Sequence, residues 1–161
     1  QRVNCVIQSD GNCESDEISP YRNKRVSLGL PKLTPPNPVK VPELMGCFYR
    51  RLKEYMDRED VHPVEVAIEA HFGIATIQPF IDGNKRSARI LEAVILGKGE
   101  LPVGVLPYGE RSNYLNLLDE AGFNASGYND RALPVDFKTY FADYLASKVN
   151  VSLERMLGRK S

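Results

Sequence analysis

The stretch from Gln78 to Arg89 reads QPFIDGNKRSAR and combines a tight turn with the start of a helix. Pro79 disfavours helical geometry at the residue before it, and Asp-Gly-Asn is typical of a tight turn. The backbone N–H groups of such a turn and of the first helical residues point the same way and can bind an anion. Lys85, Arg86 and Arg89 add three cations within the first turn and a half of this predicted helix.

These cations oppose the dipole at the helix N-terminus, which indicates that a bound anion or nearby carboxylates compensate them. A polyphosphate with magnesium is the economical hypothesis, because Asp82 offers an oxygen ligand beside the proposed phosphate site. From spacing alone the alternative stays open: a turn capped by its own Asp side chain, with basic residues paired to acidic neighbours. Neither a P-loop nor a GxGxxG sequence is present to decide between them.

The same stretch resembles the signature of the Fic family, His-x-Phe-x-Asp/Glu-Gly-Asn-Gly/Lys-Arg-x-x-Arg. The seven matching positions are Phe80, Asp82, Gly83, Asn84, Lys85, Arg86 and Arg89. The similarity also includes the segments YRNKRV, PPNPVKVPELM and EAHFGIATI, and covers roughly residues 19–157. The resemblance implies an all-α, Fic-like helical bundle around a central motif helix, with a small β-hairpin flap.

The resemblance also implies a function: ATP binding with Mg²⁺, and kinship to enzymes that transfer AMP to a hydroxyl side chain of a target protein. Asp82 would hold the metal ion, and Phe80 would anchor the loop. The α- and β-phosphates would bind at Gly83, Asn84, Lys85 and Arg86, with Arg89 at the terminal phosphate. The target protein would add a strand along the flap at Arg22, Asn23, Lys24, Arg25, Val26, Ser27 and Leu28.

The chain departs from the signature at its first position, where the family has His and this chain has Gln78. In the family that His is the general base for the target hydroxyl, and an amide has no usable pKa for this work. We therefore predict that AMP transfer is weakened or abolished. His71 lies about two helical turns earlier, near 10 Å along the axis. We interpret it as a structural residue that braces the motif loop.

Two other functions stay open: a non-catalytic, nucleotide-dependent binding module, and a Doc-like phosphotransferase. Lys85, in place of the commoner Gly, is compatible with the phosphotransferase. Many family members also carry an inhibitory Ser/Thr-x-x-x-Glu-Gly/Asn helix, and no segment of this chain fits that pattern. Inhibition would then come from an inhibitory helix in a missing region or from an inhibitory partner protein. Alternatively, the activity is controlled in another way.

Composition limits the remaining classes. The 161 residues suit one domain, and 21 basic residues balance 21 acidic ones, which argues against binding to nucleic acid or to an acidic membrane. No apolar run approaches the length of a membrane span, and three cysteines without CxxC spacing indicate reduced thiols and a cytoplasmic protein. We predict an N-terminal arm at residues 1–18, which could be a remnant of a longer chain, and a Fic-like domain at 19–161.

Hydrophobic periodicity and Pro/Gly signals predict the elements of this domain. A hairpin is expected at residues 21–33 and an extended connector at 34–42. The helices are expected from Pro42 to near Asp60, from Pro63 to before Pro79, at 84–96, at 112–121, and from Pro134 to about Leu157. The helix at 84–96 is expected to be central, and His62 is interpreted as a neighbour of a helix cap.

Overall fold

The computed structural model describes residues 20–120 and 135–158. Within them the chain forms five α-helices, and the all-α prediction is confirmed there. The helices are α1 (Val41–Met56), α2 (Pro63–Ile77), α3 (Asn84–Lys98), α4 (Arg111–Glu120) and α5 (Val135–Met156). The predicted arm and Pro134 lie outside the described residues. In this part of the chain no helix combines the length and apolarity needed to cross a membrane.

The connector before α1 is not wholly extended, which corrects the prediction for residues 34–42. Pro38–Lys40 form a 3₁₀ turn, and the Asn37 side chain accepts a hydrogen bond from the Val39 N–H at 3.2 Å. Helix α1 begins directly after this turn, at Val41. Pro42 is tolerated in its first turn, because an N–H at that position would have no acceptor within the helix. Helix α1 ends at Met56, four residues before the predicted end.

Helix α2 occupies the centre of the fold. It packs against α1, α3 and α5, and every residue from Val66 to Ile77 is buried. The prediction that the motif helix α3 is central is wrong, because α3 buries only one side and leaves Ile90 and Val94 41% and 52% exposed. Apolar residues are often exposed, so the apolar run at the end of α3 does not itself require burial on all sides.

Both ends of α2 are fixed by local chemistry. His62 is the N-cap itself, since its Nδ1 accepts a hydrogen bond from the Val64 N–H at 3.2 Å. Pro63 occupies the first helical position, as predicted, where its fixed φ suits the helix. At the other end Gln78 adopts the left-handed conformation, with φ 50°, and its N–H bonds to the Ile74 carbonyl at 3.1 Å. The chain then turns sharply into the motif loop.

The predicted β-hairpin at residues 21–33 is wrong: this described segment contains no strand. Its two halves do not pair with each other, because each end is attached to the helical core instead. Arg22 is buried against the motif loop at one end. At the other, the N–H groups of Lys32 and Leu33 both donate to Asp119 Oδ1 on α4, at 2.7 and 3.1 Å. The segment between is an irregular strap, residues 20–36.

Candidate functional site

The motif loop, residues 78–83, joins the end of α2 to the start of α3. Gly83 is the N-cap of α3 and has φ 79°, a left-handed conformation that glycine adopts without steric cost. As a glycine, Gly83 has no side chain with which to cap this helix. It leaves the first N–H groups of α3 without a bond from the N-cap side chain, as in anion-binding helix N-termini.

Asn84 and Phe80 close the loop with a reciprocal pair of hydrogen bonds. The Phe80 N–H donates to Asn84 Oδ1 and Asn84 Nδ2 donates to the Phe80 carbonyl, each at 2.8 Å. Both residues are buried, Phe80 at 7% exposure and Asn84 at 5%. Phe80 thus lies where an anchor of the loop was expected. The Asn84 side chain stabilises the loop, so only its backbone N–H could contact a phosphate.

Arg22 is part of the core beneath this loop rather than of an exposed surface. It is 3% exposed, and its guanidinium donates to three carbonyls: Gln78 at 2.6 Å, Pro36 at 2.5 Å and Lys24 at 2.9 Å. Its backbone N–H donates to the Pro79 carbonyl at 2.8 Å. Burial lowers the pKa of Arg22. Its expected contact with a target protein is therefore corrected to a contact with the motif loop.

The other predicted flap residues are mostly exposed, although Leu28 packs against the hydrophobic core. Four of them are exposed, namely Asn23, Lys24, Arg25 and Ser27. Two are half-buried, namely Val26 and Leu28. Among these six residues, Lys24 is the one that accepts a hydrogen bond from the Arg22 guanidinium, through its backbone carbonyl.

Gln78 faces back into its own helix. Its side chain is 5% exposed, and Nε2 donates to the Ala75 carbonyl at 2.6 Å. The amide thereby satisfies one of the carbonyls that the end of α2 leaves without a helical partner. This residue closes α2 and offers no group that could accept a proton from a substrate.

His71 belongs to a buried polar network that joins three helices. Its Nδ1 lies 2.5 Å from Glu92 Oε2 on α3, and its Nε2 lies 2.9 Å from the Tyr114 hydroxyl on α4. All three residues are at most 2% exposed. Burial raises the pKa of Tyr114, so the phenol stays protonated beside His71 Nε2. His71 thus contacts the motif helix and α4.

The contacts of His71 with Glu92 and Tyr114 were not predicted from the sequence. One signal was available, because Glu92 is the single charged residue in the apolar run ILEAVIL. A buried carboxylate of this kind requires a hydrogen-bonding partner.

Of the three basic residues of the motif, Arg86 and Arg89 are exposed and Lys85 is half-buried. Arg86 Nη2 contacts Asp82 Oδ2 at 2.8 Å, and the two side chains are 56% and 80% exposed. The Arg89 guanidinium lies 5.7 Å from the centre of the Tyr114 ring. Partial burial, then the charges of Arg111 and Arg89, lower the pKa of Lys85. The charge of Lys85 is therefore influenced by that of Arg89 and by that of Arg111, which was not predicted from the sequence.

The donor set suits a metal that arrives with a nucleotide. Among the described residues no three His, Cys, Asp or Glu side chains converge as a metal site. Asp82 is a single exposed carboxylate beside the helix N-terminus. Mg²⁺ commonly keeps several waters and binds one or two carboxylates plus substrate phosphates, so Asp82 fits that role and does not form a metal cage.

The sequence is similar to known proteins over more than half of its length. A family model described as Fic/DOC family matches residues 7–96. Curated relatives called protein adenylyltransferase Fic include one from Drosophila persimilis, 33% identical over 108 residues that make up 67% of this chain and 21% of that protein. Another, from Nematostella vectensis, is 32% identical over 111 residues, 69% of this chain and 25% of that protein. The chain thus matches only a fifth to a quarter of the length of these relatives.

A solved structure has a similar fold. The crystal structure of a Fic domain containing signaling protein from Bacteroides thetaiotaomicron superimposes with a TM-score of 0.64 and 28% sequence identity. The match covers 80% of this chain and 52% of that one.

Proposed function

This chain belongs to the Fic/DOC family, and on that premise we propose that it binds ATP with Mg²⁺ at the motif loop and has the site of a protein adenylyltransferase, with transfer weakened by Gln78. One observation carries the proposal. The N-terminus of α3 begins at a left-handed Gly83 with no capping side chain, and Arg86 and Arg89 follow within two turns. Free N–H groups, the positive end of the dipole and guanidinium groups all favour a polyphosphate there.

Phosphate binding requires the ion pair between Arg86 and Asp82 to separate. Both side chains are more than half exposed, and such a pair contributes about 0–1 kcal/mol. Separation is therefore inexpensive, and it releases Arg86 for the phosphates and Asp82 for Mg²⁺. When bound, the metal neutralises charge on the phosphates, and the N–H groups of the loop and Arg86 stabilise the charge of the transferred group.

The weak point of the site is the general base. In the family signature a His occupies the place of Gln78, whose amide donates to the Ala75 carbonyl and cannot accept a proton. His71 is no substitute, because it is fully buried and both of its ring nitrogens have partners. The absence of a general base typically costs 10²–10⁴-fold in rate. Slow AMP transfer is the expected consequence.

The strap is the proposed contact for a target protein. Asn23, Lys24 and Arg25 are exposed, while Arg22 attaches this segment to the motif loop. An extended target segment that bonded to this backbone would be placed beside the phosphate site. Arg22 is not part of that contact surface, since it is buried.

The second candidate function is a nucleotide-dependent binding module without catalysis. The buried, hydrogen-bonded amide of Gln78 favours it, because this residue has a complete structural role at the end of α2. A Doc-like phosphotransferase is the third, and it would leave the γ-phosphate on the target.

Labelled ATP separates the three functions. The protein is incubated with a cell lysate, Mg²⁺ and ATP labelled at the α- or at the γ-phosphate, with Arg86→Ala as the matched control. Weak α-label on protein, absent with Arg86→Ala, supports AMP transfer. γ-Label supports phosphorylation. ATP binding without either label supports the binding module, and no ATP binding, seen as an unchanged melting temperature, would overturn the proposal.

A further inference from the structure

The strap carries charge of one sign. Residues 20–36 include Arg22, Lys24, Arg25 and Lys32 and contain no Asp or Glu. Arg22 is buried beneath the motif loop, whereas the three strap cations, Lys24, Arg25 and Lys32, are exposed. The whole chain has 21 basic and 21 acidic residues. The strap is therefore a local basic surface on a protein without net charge.

No carboxylate pairs with the strap cations in the part of the chain that the structure describes. Elsewhere exposed cations do pair: Lys40 Nζ lies 3.3 Å from Glu43 Oε2, and Arg58 Nη2 lies 2.6 Å from Asp60 Oδ2. Asp119 Oδ1, at the far end of the strap, accepts hydrogen bonds from two backbone N–H groups. The positive charge of the strap therefore remains available to carboxylates of another protein.

The two attachments of the strap place these cations relative to the motif loop. The Arg22 N–H donates to the Pro79 carbonyl at 2.8 Å, and Lys24 and Arg25 follow two and three residues later. Lys32 belongs to the other attachment, where its N–H donates to Asp119 at 2.7 Å. Two of the strap cations thus follow directly after the contact with the motif loop, and the third lies at the opposite end of the segment.

The scale of this surface favours an acidic peptide over a larger polyanion. Duplex nucleic acid and acidic membranes are attracted by a positive field over a broad surface, and this chain has no net charge to supply one. Three exposed cations along one irregular segment match a few carboxylates of a single extended chain. Such charge complementarity selects among partners and speeds their encounter.

We propose that the strap recognises an acidic target, namely an extended protein segment with Asp or Glu side chains within a few positions of its hydroxyl acceptor. The inference rests on the proposed function for the presence of a target at the strap. Lys24 and Arg25 would bind the carboxylates nearest the motif loop, and Lys32 would bind one further along. Hydrogen bonds to the strap backbone add affinity without demanding a sequence, so the cations supply the selectivity.

Fluorescence anisotropy with labelled peptides tests the proposal. Three peptides of equal length have a central Ser flanked by Asp, by Asn or by Lys, and duplex DNA and phosphatidylserine vesicles are the other probes. The proteins are the unaltered chain, Lys24→Gln with Arg25→Gln, and Lys24→Glu with Arg25→Glu. The control is Lys98→Gln with Arg155→Gln, which removes the same charge from the last turns of α3 and α5. Each protein is also titrated with Mg·ATP.

At low salt we expect the unaltered chain to bind the Asp peptide about 5- to 20-fold more tightly than the Asn peptide, as for two or three exposed ion pairs. Added salt should reduce this difference. The double Gln variant at the strap should lose most of it, and the double Glu variant should prefer the Lys peptide. The control should bind the peptides as the unaltered chain does, and Mg·ATP affinity should be equal in all four proteins.

The other outcomes separate this proposal from the proposed function. Equal binding of the Asp and Asn peptides, no peptide binding, or an equal loss in the control would overturn the acidic target while the nucleotide site stands. Binding of DNA or vesicles through Lys24 and Arg25 at least as tightly as the Asp peptide would overturn it in favour of a polyanion. A preference for the Asp peptide in a chain that does not bind Mg·ATP would keep the basic docking surface and overturn the nucleotide function.

Discussion

The guanidinium of Arg22 donates from Nε to the carbonyl oxygen of Gln78 at 2.6 Å, across 56 positions of sequence. Gln78 is one of two described residues other than glycine with positive φ. Arg22 thus bonds to the carbonyl of a residue in the left-handed conformation. The strap and the motif loop are thereby held together at the position where the family signature has its His.

Replacement of Arg22 tests this link. Arg22→Met leaves the carbonyls of Gln78, Pro36 and Lys24 without their donor, so we expect the free energy of unfolding to fall by roughly 3 kcal/mol. Urea unfolding measures it. Arg25→Met, in the exposed part of the strap, is the control and should change stability by about 0.5 kcal/mol or less. Identical urea midpoints for the two variants would contradict the role of Arg22.

The network of His71, Glu92 and Tyr114 yields a second prediction. Tyr114→Phe removes the hydroxyl partner of His71 but keeps the ring beneath Arg89, so we expect about 1–2 kcal/mol lower stability and unchanged ATP affinity. Tyr114→Leu also removes the ring, and ATP affinity should fall about 2- to 5-fold. Unfolding curves and ATP titrations check both. If Tyr114→Phe bound ATP as weakly as Tyr114→Leu does, the ring would not be what orients Arg89.

Asp82 is the proposed Mg²⁺ ligand. Asp82→Asn keeps a side chain suited to the turn and removes the charge, so we expect ATP binding to lose its dependence on Mg²⁺. Stability should change by less than about 1 kcal/mol, because the pair with Arg86 is exposed. ATP titrations with and without Mg²⁺ are the measurement. A magnesium dependence equal to that of the natural chain would reduce Asp82 to a residue of the turn.

Lys85 makes ATP binding sensitive to alkaline pH. Burial and the facing charges of Arg111 and Arg89 lower its pKa in the free protein from the ordinary 10.5. A bound phosphate stabilises the ammonium form and raises this pKa again. Affinity is therefore greatest below the free-protein pKa and falls as the pH rises through it, at a pH lower than for an ordinary lysine. Lys85→Arg should bind ATP without this fall, and the same pH profile for both proteins would contradict the assignment.

The helices could largely be predicted from local signals. Proline at position 63 and the Asp-Gly-Asn turn define the start of α2 and α3 through interactions within a few residues. These signals act on the local backbone, so sequence alone is sufficient to read them. The same signals predict the turn at Gly83 and the start of α3, where we propose the anion site.

The remaining features depend on contacts between distant residues. A hairpin at 21–33 requires its two halves to pair, yet Arg22 and Asp119 attach the ends of this segment to different parts of the core. Burial of an arginine can be anticipated only if three carbonyls are known to converge on it. In the same way, the pairing of His71 with Glu92 joins residues 21 positions apart on different helices. No local pattern contains that information.

We propose that Gln78 removes the general base from a site that otherwise has the residues of the Fic signature. The most direct measurement is self-labelling with α-labelled ATP by Gln78→His, beside the natural chain and Gln78→Ala. We expect Gln78→His to label itself about 10²- to 10⁴-fold faster than the chain with Gln78, because a general base is restored to the site, and Gln78→Ala to show no such gain. A Gln78→His protein that binds ATP without labelling itself or a lysate protein, or strong labelling by the natural chain, would contradict it.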